Sequence, residues 1–175
     1  MELSQAIDLI KRGVPESSPS IWADLGSGAG VFTHALASLL VKGSTIYAID
    51  TDPHVLMKIS SPPDVQLHKL VADFEKDAIN LPQLDGILLA NSLHFVKDKA
   101  AFIKKAAAWL EPGGCIIIVE YNTNKANRWV PYPISFVEVQ KLFSSLGCSA
   151  ELIGEAGSAY NKEGMYGVKV NPPTP

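Results

Sequence analysis

At 175 residues, with 47% hydrophobic and 19% charged side chains, the chain has the length of one domain and enough apolar material for a substantial core. Its net charge of −3, with lysines and arginines scattered apart from short pairs such as Lys104 and Lys105, speaks against capture of a nucleic-acid backbone, which needs a concentrated basic face. No apolar run approaches the roughly 20 residues that span a bilayer, and Glu2, Asp8 and Lys11 break any signal-like N-terminal stretch, so a cytoplasmic protein without membrane or nucleic-acid partners is expected.

Leu3, Ala6, Ile7 and Ile10 share one face at helical spacing, which predicts an amphipathic helix over 2–12, stopped by Gly13 and Pro15. After a loop at 16–20, Ile21–Leu25 reads as the first strand. Phe32, Ala35, Leu36, Leu39 and Leu40 then repeat with helical period. Residues 45–49, closing in Asp50, form the second strand. Asp52 is a good N-cap with Pro53 at the first helical position, which opens a short helix to about Ile59. Residues 65–72 read as a third strand ending at Asp73. Leu84–Ala90 is an almost continuous apolar run, as expected for a strand covered on both faces.

A helix is predicted over 97–110, a turn over 111–114 and a fifth strand over 115–121. The polar and aromatic loop 122–134 leads to Ser135 and Glu138, spaced as a capping box that opens a helix to Leu146. Two late strands, about 150–153 and 165–170, follow, and residues 171–175 are expected to fray. Cys115 and Cys148 sit within or beside apolar segments without metal-type spacing, which fits buried thiols in a reducing compartment.

Strands alternating with helices predict a doubly wound α/β sheet, mostly parallel, with helices on both faces. The final two strands have no helix between them, so one must run antiparallel. The expectation is a single domain over 1–175 built on seven strands with a C-terminal antiparallel hairpin strand. Ligands in such sheets bind at the carboxyl ends of the strands, near the point where strand order reverses.

The stretch Asp24-Leu-Gly-Ser-Gly-Ala-Gly30 leaves the first strand and enters a helix. Its glycines let a ligand approach the main chain, and the helix start offers free N–H groups. The dinucleotide fingerprint would place a glycine where Val31 stands. An acid ahead of the loop also disfavours a pyrophosphate, whereas a cofactor carrying an ammonium and a sulfonium gains from it. Both features point away from NAD.

This stretch resembles the glycine-rich motif of the Rossmann-like (class I) S-adenosylmethionine-dependent methyltransferases of small-molecule type, and the resemblance runs over about residues 20–171. It implies that Asp24, Gly26, Ser27, Gly28 and Gly30 form the cofactor bed. It also implies that Asp50 holds both ribose hydroxyls, with Thr51 beside it among the cofactor residues, and that Asp73 takes the adenine amine while the Phe74 backbone meets the ring. Asn91-Ser-Leu-His-Phe95 after strand four, and Leu110-Glu-Pro-Gly-Gly114 before strand five, match the pattern of small-molecule members and add Asn91 to the cofactor residues. Each acid has a local alternative: Asp24 bonding nearby backbone, Asp50 facing solvent, Asp73 capping the following turn.

Methyl transfer from a sulfonium is an in-line displacement, for which an enzyme positions the acceptor and, where needed, removes a proton. His94, after strand four, is the candidate base, unless its ring only stacks or bonds backbone. Tyr121 ends strand five on the same side. Arg128, Trp129 and Tyr132 in the following loop are candidates for clamping or walling an acceptor, or Trp129 packs that loop onto the body as a cover. His34, His54 and His68 read as surface residues.

No Asn/Asp-Pro-Pro-Tyr/Phe segment follows strand four, which removes the device that holds a flipped base. Glu120 and Asn122 stand near the position of a metal edge, but no ligand cluster accompanies them, so no metal is expected. With little insertion after strand five, a lid must come from the N-terminal helix, loop 122–134 or a second subunit in a homodimer. The expected function is methyl transfer from S-adenosylmethionine to a small-molecule acceptor. The alternatives are a protein-modifying methyltransferase and a non-catalytic S-adenosylmethionine-binding module.

Overall fold

A computed structural model describes residues 1–158 and 162–172 of the chain. The apolar runs pair into one seven-stranded sheet of order β3-β2-β1-β4-β5-β7-β6. Its strands are β1 (Ile21–Leu25), β2 (Thr45–Asp50), β3 (Gln66–Val71), β4 (Leu84–Ala90), β5 (Leu110–Tyr121), β6 (Ser149–Ala156) and β7 (Met165–Asn171). The first five are parallel, and β7 runs antiparallel to both β5 and β6, as a helix-free connection requires. The chain steps outward from β1 to β3, then returns to place β4 on the other side of β1. That reversal opens a crevice between β1 and β4.

Alternate residues of the central strands feed two apolar clusters. Ala23, Ile87 and Ile116 join one with α4 (Lys99–Ala107) and α5 (Phe136–Ser145). Trp22, Leu88 and Ile117 join the other with α1 (Leu3–Ile10) and α2 (Val31–Leu39). Period-two alternation on strands covered on both faces accounts for this division. The short α3 (Pro53–Met57) starts as expected, with Asp52 accepting from the His54 amide at 2.8 Å.

Close approach is built into the sheet in two places. A Cβ at Gly86 would collide with the Trp22 indole, which lies fully buried and donates to Ser20 Oγ at 3.1 Å. At Gly154 a Cβ would lie 2.7 Å from Leu9 Cα, and at Gly167 it would strike the Leu9 carbonyl. The backbone of α1 thus rests directly on β6 and β7. With Ala6, Leu9 and Ile10 buried there, α1 is a core element, which removes it from the candidates for a lid.

Other expectations need correction. Strand β5 begins at Leu110, because Glu111 to Gly114 form a bulge within it: Leu84 pairs with Leu110 and Gly86 with Cys115. The proline and paired glycines marked irregularity correctly, but the ladder resumes on either side. Ser135 takes the N-cap position of α5 without a side-chain bond. Its role passes to two loop asparagines, with Asn124 Oδ1 accepting from the Ser135 amide at 3.0 Å and Asn122 Oδ1 from the Phe136 amide at 3.1 Å. Trp129 does not pack loop 122–134 onto the body; it is 74% exposed, and Val130 and Ile134 are the buried anchors. Asn171, expected to begin a frayed tail, instead belongs to β7 and reaches Ser149 Oγ at 3.3 Å; residues 173–175 of that expected tail lie outside the described residues. Cys115 is buried, Cys148 half-buried, and both are free thiols.

Candidate active site

The carboxyl ends of β1, β2 and β4 converge on a cleft of about 330 Å³, within the range of small-ligand sites. Gly26, Asp50, Thr51, Asp73, Phe74 and Asn91 line it together with Glu75, Lys76, Ser92, Phe95 and Val96, whereas Asp24, Ser27, Gly28, Gly30 and His94 lie outside the lining. The glycine loop is pinned to β2: the amides of Gly26 and Ser27 both donate to the Ile49 carbonyl, at 2.8 and 3.0 Å. Its three glycines have positive φ but different duties. A Cβ on Gly26 would lie 2.5 Å from Ser92 Cβ, and one on Gly30 would lie 2.8 Å from Ile59. A Cβ on Gly28 would meet nothing within 4 Å. The first and third glycines permit packing; the middle one keeps a surface clear.

Asp50 is oriented by the backbone. Its Oδ2 accepts from the Gly28 amide at 2.9 Å and its Oδ1 from the Asp52 amide at 3.0 Å. An ionised carboxylate has about four acceptor positions, so both oxygens keep capacity for vicinal hydroxyls. Asp24 is 1% exposed, and its Oδ2 accepts from Thr33 Oγ1 at 2.6 Å. Burial pushes its carboxyl up to about 7; the Thr33 bond opposes the rise and the Asp50 charge adds to it. Asp73 serves its own turn, accepting from the amides of Glu75 and Lys76 at 3.0 and 3.2 Å and from Lys76 Nζ at 2.6 Å. The Lys76 bond, foremost, holds this carboxyl below its ordinary value.

Among the described residues, the buried side-chain oxygens without a partner are Asp24 Oδ1, Ser27 Oγ, Asn91 Oδ1 and Ser92 Oγ. All four sit at the carboxyl ends of β1 and β4. Buried polar atoms are ordinarily satisfied, so their concentration here fits a polar ligand bound against the glycine loop. Asn91 also holds φ 54 while its amide donates to the Val119 carbonyl at 2.8 Å, and left-handed backbone at a non-glycine residue tends to gather at functional sites. The oriented Asp50 carboxylate, the unpartnered oxygens and the open face at Gly28 suit a polar cofactor lying along the glycine loop.

The sequence matches the family model described as a methyltransferase domain over residues 23–116, more than half of the chain. The chain belongs to this methyltransferase family. No curated protein matches its sequence. Among solved structures, the methyltransferase is similar to a SAM-dependent methyltransferase from Leishmania major, with a TM-score of 0.73 and 17% identity over 97% of this chain and 71% of that one. The plantazolicin methyltransferase in complex with SAH gives a TM-score of 0.68 at 11% identity, covering 98% of this chain and 83% of that one. Human N-acetylserotonin methyltransferase in complex with SAM gives 0.61 at 20% identity, covering 88% and 48%. At these identities the likeness is one of fold.

Beside the cleft, this methyltransferase carries a buried acid–base pair. A 3-10 turn (Leu93–Phe95) after β4 presents His94, 3% exposed, to Glu120 near the end of β5, 1% exposed. Glu120 accepts from the His94 amide through Oε1 at 3.0 Å and faces the ring Nδ1 through Oε2 at 2.7 Å. Both contacts with Glu120 are made through the backbone amide and Nδ1, and neither uses Nε2. The Phe95 ring lies 4.4 Å from the imidazole and the Tyr121 ring 6.3 Å from it. Glu120 was visible in the sequence only near a metal position that had no other ligands. Its real signal was an acid inside the apolar run of β5, which burial obliges to find a partner.

Loop 122–134 is fastened beside this pair. The Tyr132 amide donates to the His94 carbonyl at 3.0 Å, and Lys99 Nζ donates to the carbonyls of Val96 and Tyr132 at 2.9 and 2.7 Å. Burial lowers the Lys99 ammonium against the pull of Glu120 and Glu138. Arg128 stacks over the Trp129 ring at 5.7 Å. Tyr121, Arg128, Trp129 and Tyr132 stand outside the cleft lining. No helix among the described residues is long and apolar enough to cross a membrane.

Proposed function

We propose that this chain transfers a methyl group from S-adenosylmethionine to an oxygen or nitrogen of a small-molecule acceptor, with His94 as general base. The observation that carries this reading is the buried His94–Glu120 pair, 2.7 Å apart beside the cleft. A carboxylate facing Nδ1 selects the tautomer that carries the proton there. The lone pair then sits on Nε2, where it can take the acceptor's proton.

When bound, the cofactor supplies a methyl group activated by sulfonium. Gly28 provides open backbone for it, Asp50 two oriented oxygens for the ribose hydroxyls, and Asp24 a carboxyl beneath the glycine loop. The 73–77 segment, with Asp73 and Phe74, forms the adenine side. Asn91 and Ser27 add oxygens that have no partner among the described residues. Phe95, 55% exposed at the rim, and Tyr121 offer aromatic surface to the acceptor. Arg128, Trp129 and Tyr132 lie further along the same loop system and meet larger acceptors. The name of one fold neighbour, the N-acetylserotonin methyltransferase, is in line with a small acceptor. Free thiols and a dispersed charge fit a cytoplasmic enzyme acting without nucleic acid, and with α1 packed in the core the lid comes from loop 122–134 or from a second copy of the chain.

The reading is tested by titrating the protein with S-adenosylhomocysteine in a calorimeter, then screening metabolite pools for methyl transfer from labelled S-adenosylmethionine. Binding is expected, with Asp50→Ala weakening it at least tenfold. Turnover of the acceptor so found is expected to fall roughly 10²-fold or more in His94→Ala. No binding sinks the cofactor assignment; wild-type turnover in His94→Ala sinks the base.

A further inference from the structure

The adenine-side wall of the cleft is a single helical turn with an unusual closure. The amides of Lys76 and Asp77 both donate to the Asp73 carbonyl, at 3.1 and 2.8 Å. The leading amides are met locally: Asp73 Oδ1 accepts from Glu75 and Lys76, and Asp77 Oδ2 accepts from the Asp73 amide at 2.8 Å. The trailing carbonyls have no such local partner. They are met from α4, where Lys105 Nζ donates to Phe74 at 3.2 Å, Glu75 at 3.0 Å and Asp77 at 3.1 Å.

An ammonium has three donors, and here three carbonyls from one turn converge on it. Its positive charge also faces the negative end of the turn's peptide dipoles. The same helix touches the turn a second time, with the Phe102 ring 5.3 Å from that of Phe74. Lys105 is meanwhile steadied by the Trp109 ring, 5.6 Å from Nζ. It is absent from the cleft lining, whereas Asp73, Phe74, Glu75 and Lys76 are all part of it.

We infer that Lys105 is a positioning residue for the cofactor: it shapes the 73–77 wall from behind by closing that turn's carbonyl end. The inference rests on the cofactor reading above. Charge alone does not do this, because the neighbouring Lys104 is exposed on the same helix. Without Lys105 the turn loses its long-range closure, and the wall must be ordered at the moment of binding, which lowers affinity.

The test uses Lys105→Met, with Lys105→Gln as a second variant and Lys104→Met as the matched loss of charge. Amide hydrogen exchange is first read on cofactor-free protein. Lys105→Met is expected to lose protection at residues 75–77 at least tenfold while the amides of β1, β4 and β5 keep theirs. Calorimetric titration with S-adenosylhomocysteine should then show at least tenfold weaker binding, and Lys104→Met should match wild type in both measurements. Unchanged protection at 75–77 in either Lys105 variant overturns the inference, and so does lost protection with wild-type affinity. Wild-type protein that binds no S-adenosylhomocysteine overturns the cofactor reading and this role with it, and that failure is told apart because the exchange pattern is independent of ligand.

Discussion

Asp24 shows how far one buried oxygen constrains this protein. Its carboxyl has one hydroxyl donor, from Thr33, and a second oxygen with no partner, an environment that favours the neutral acid. With the folded value raised from 3.8 to about 7, its contribution to stability is fully present below about pH 4 and is withdrawn as the pH climbs to about 7. The size is roughly 4 kcal/mol over that window. Other acids titrate there too, so the readout is the difference between wild type and Asp24→Asn in urea unfolding at pH 4.5 and pH 7.5. That difference should shift by about 3 kcal/mol in favour of the variant at the higher pH; a constant difference sinks the assignment. Glu120 is the other decisive acid. Glu120→Gln keeps the shape but supplies one acceptor where the His94 amide and ring need two. We expect kcat to fall about 10- to 100-fold with S-adenosylhomocysteine affinity held within twofold, a split that a general loss of structure would not produce. The acids differed in how legible they were. Asp50 closes a strand at a fixed place after the glycine loop, so its position followed from chain order. The pairing of Glu120 with His94 joins the ends of two strands 26 residues apart, and no local spacing announces it.

At the level of elements, the glycine loop separates folding from binding. Gly26→Ala sets a methyl group 2.5 Å from Ser92 Cβ in a left-handed backbone, combining overpacking with conformational strain. Gly28→Ala meets open space at φ +52, so it carries only the strain of about 1–2 kcal/mol. Thermal unfolding should therefore show the larger loss for Gly26→Ala. S-adenosylhomocysteine titration should show at least tenfold weaker binding for Gly28→Ala in protein that is still folded; wild-type affinity would mean that the cofactor lies elsewhere. Apolar periodicity made β1, β2, β4, α2 and α4 readable within a few residues, because each is covered by the core. It failed where the chain is held by partners distant in sequence. The N-terminus of α5 is closed by Asn122 and Asn124 across the loop, so a correctly spaced serine and glutamate were not needed for it. Trp129 had the residue type of an anchor but not the position of one; Val130 next to it is buried instead.

For the whole molecule, the reversal of strand order between β1 and β4 matters most, because it brings the glycine loop, Asp50, Asn91 and His94 to one end of the sheet. A ligand held there by the folded state alone stabilises it by mass action, about 2.7 kcal/mol at 100 times its Kd. For a chain of this size S-adenosylhomocysteine at that level should raise Tm by about 5–10 °C, whereas NAD should leave it unchanged. An equal shift with NAD would return the site to the dinucleotide class that Asp24 and Val31 argue against. The bulge of β5 has a practical consequence at the opposite end of the sheet. Gly113 there has φ +90 and open space within 4 Å of where a side chain would begin, while β4 and β5 pair on either side of it. Strands that run parallel put this irregularity at their amino ends, a full strand length from the cleft. A fluorophore or short tag inserted beside Gly113 would therefore give an attachment point from which the protein can be immobilised or watched with its working face left free.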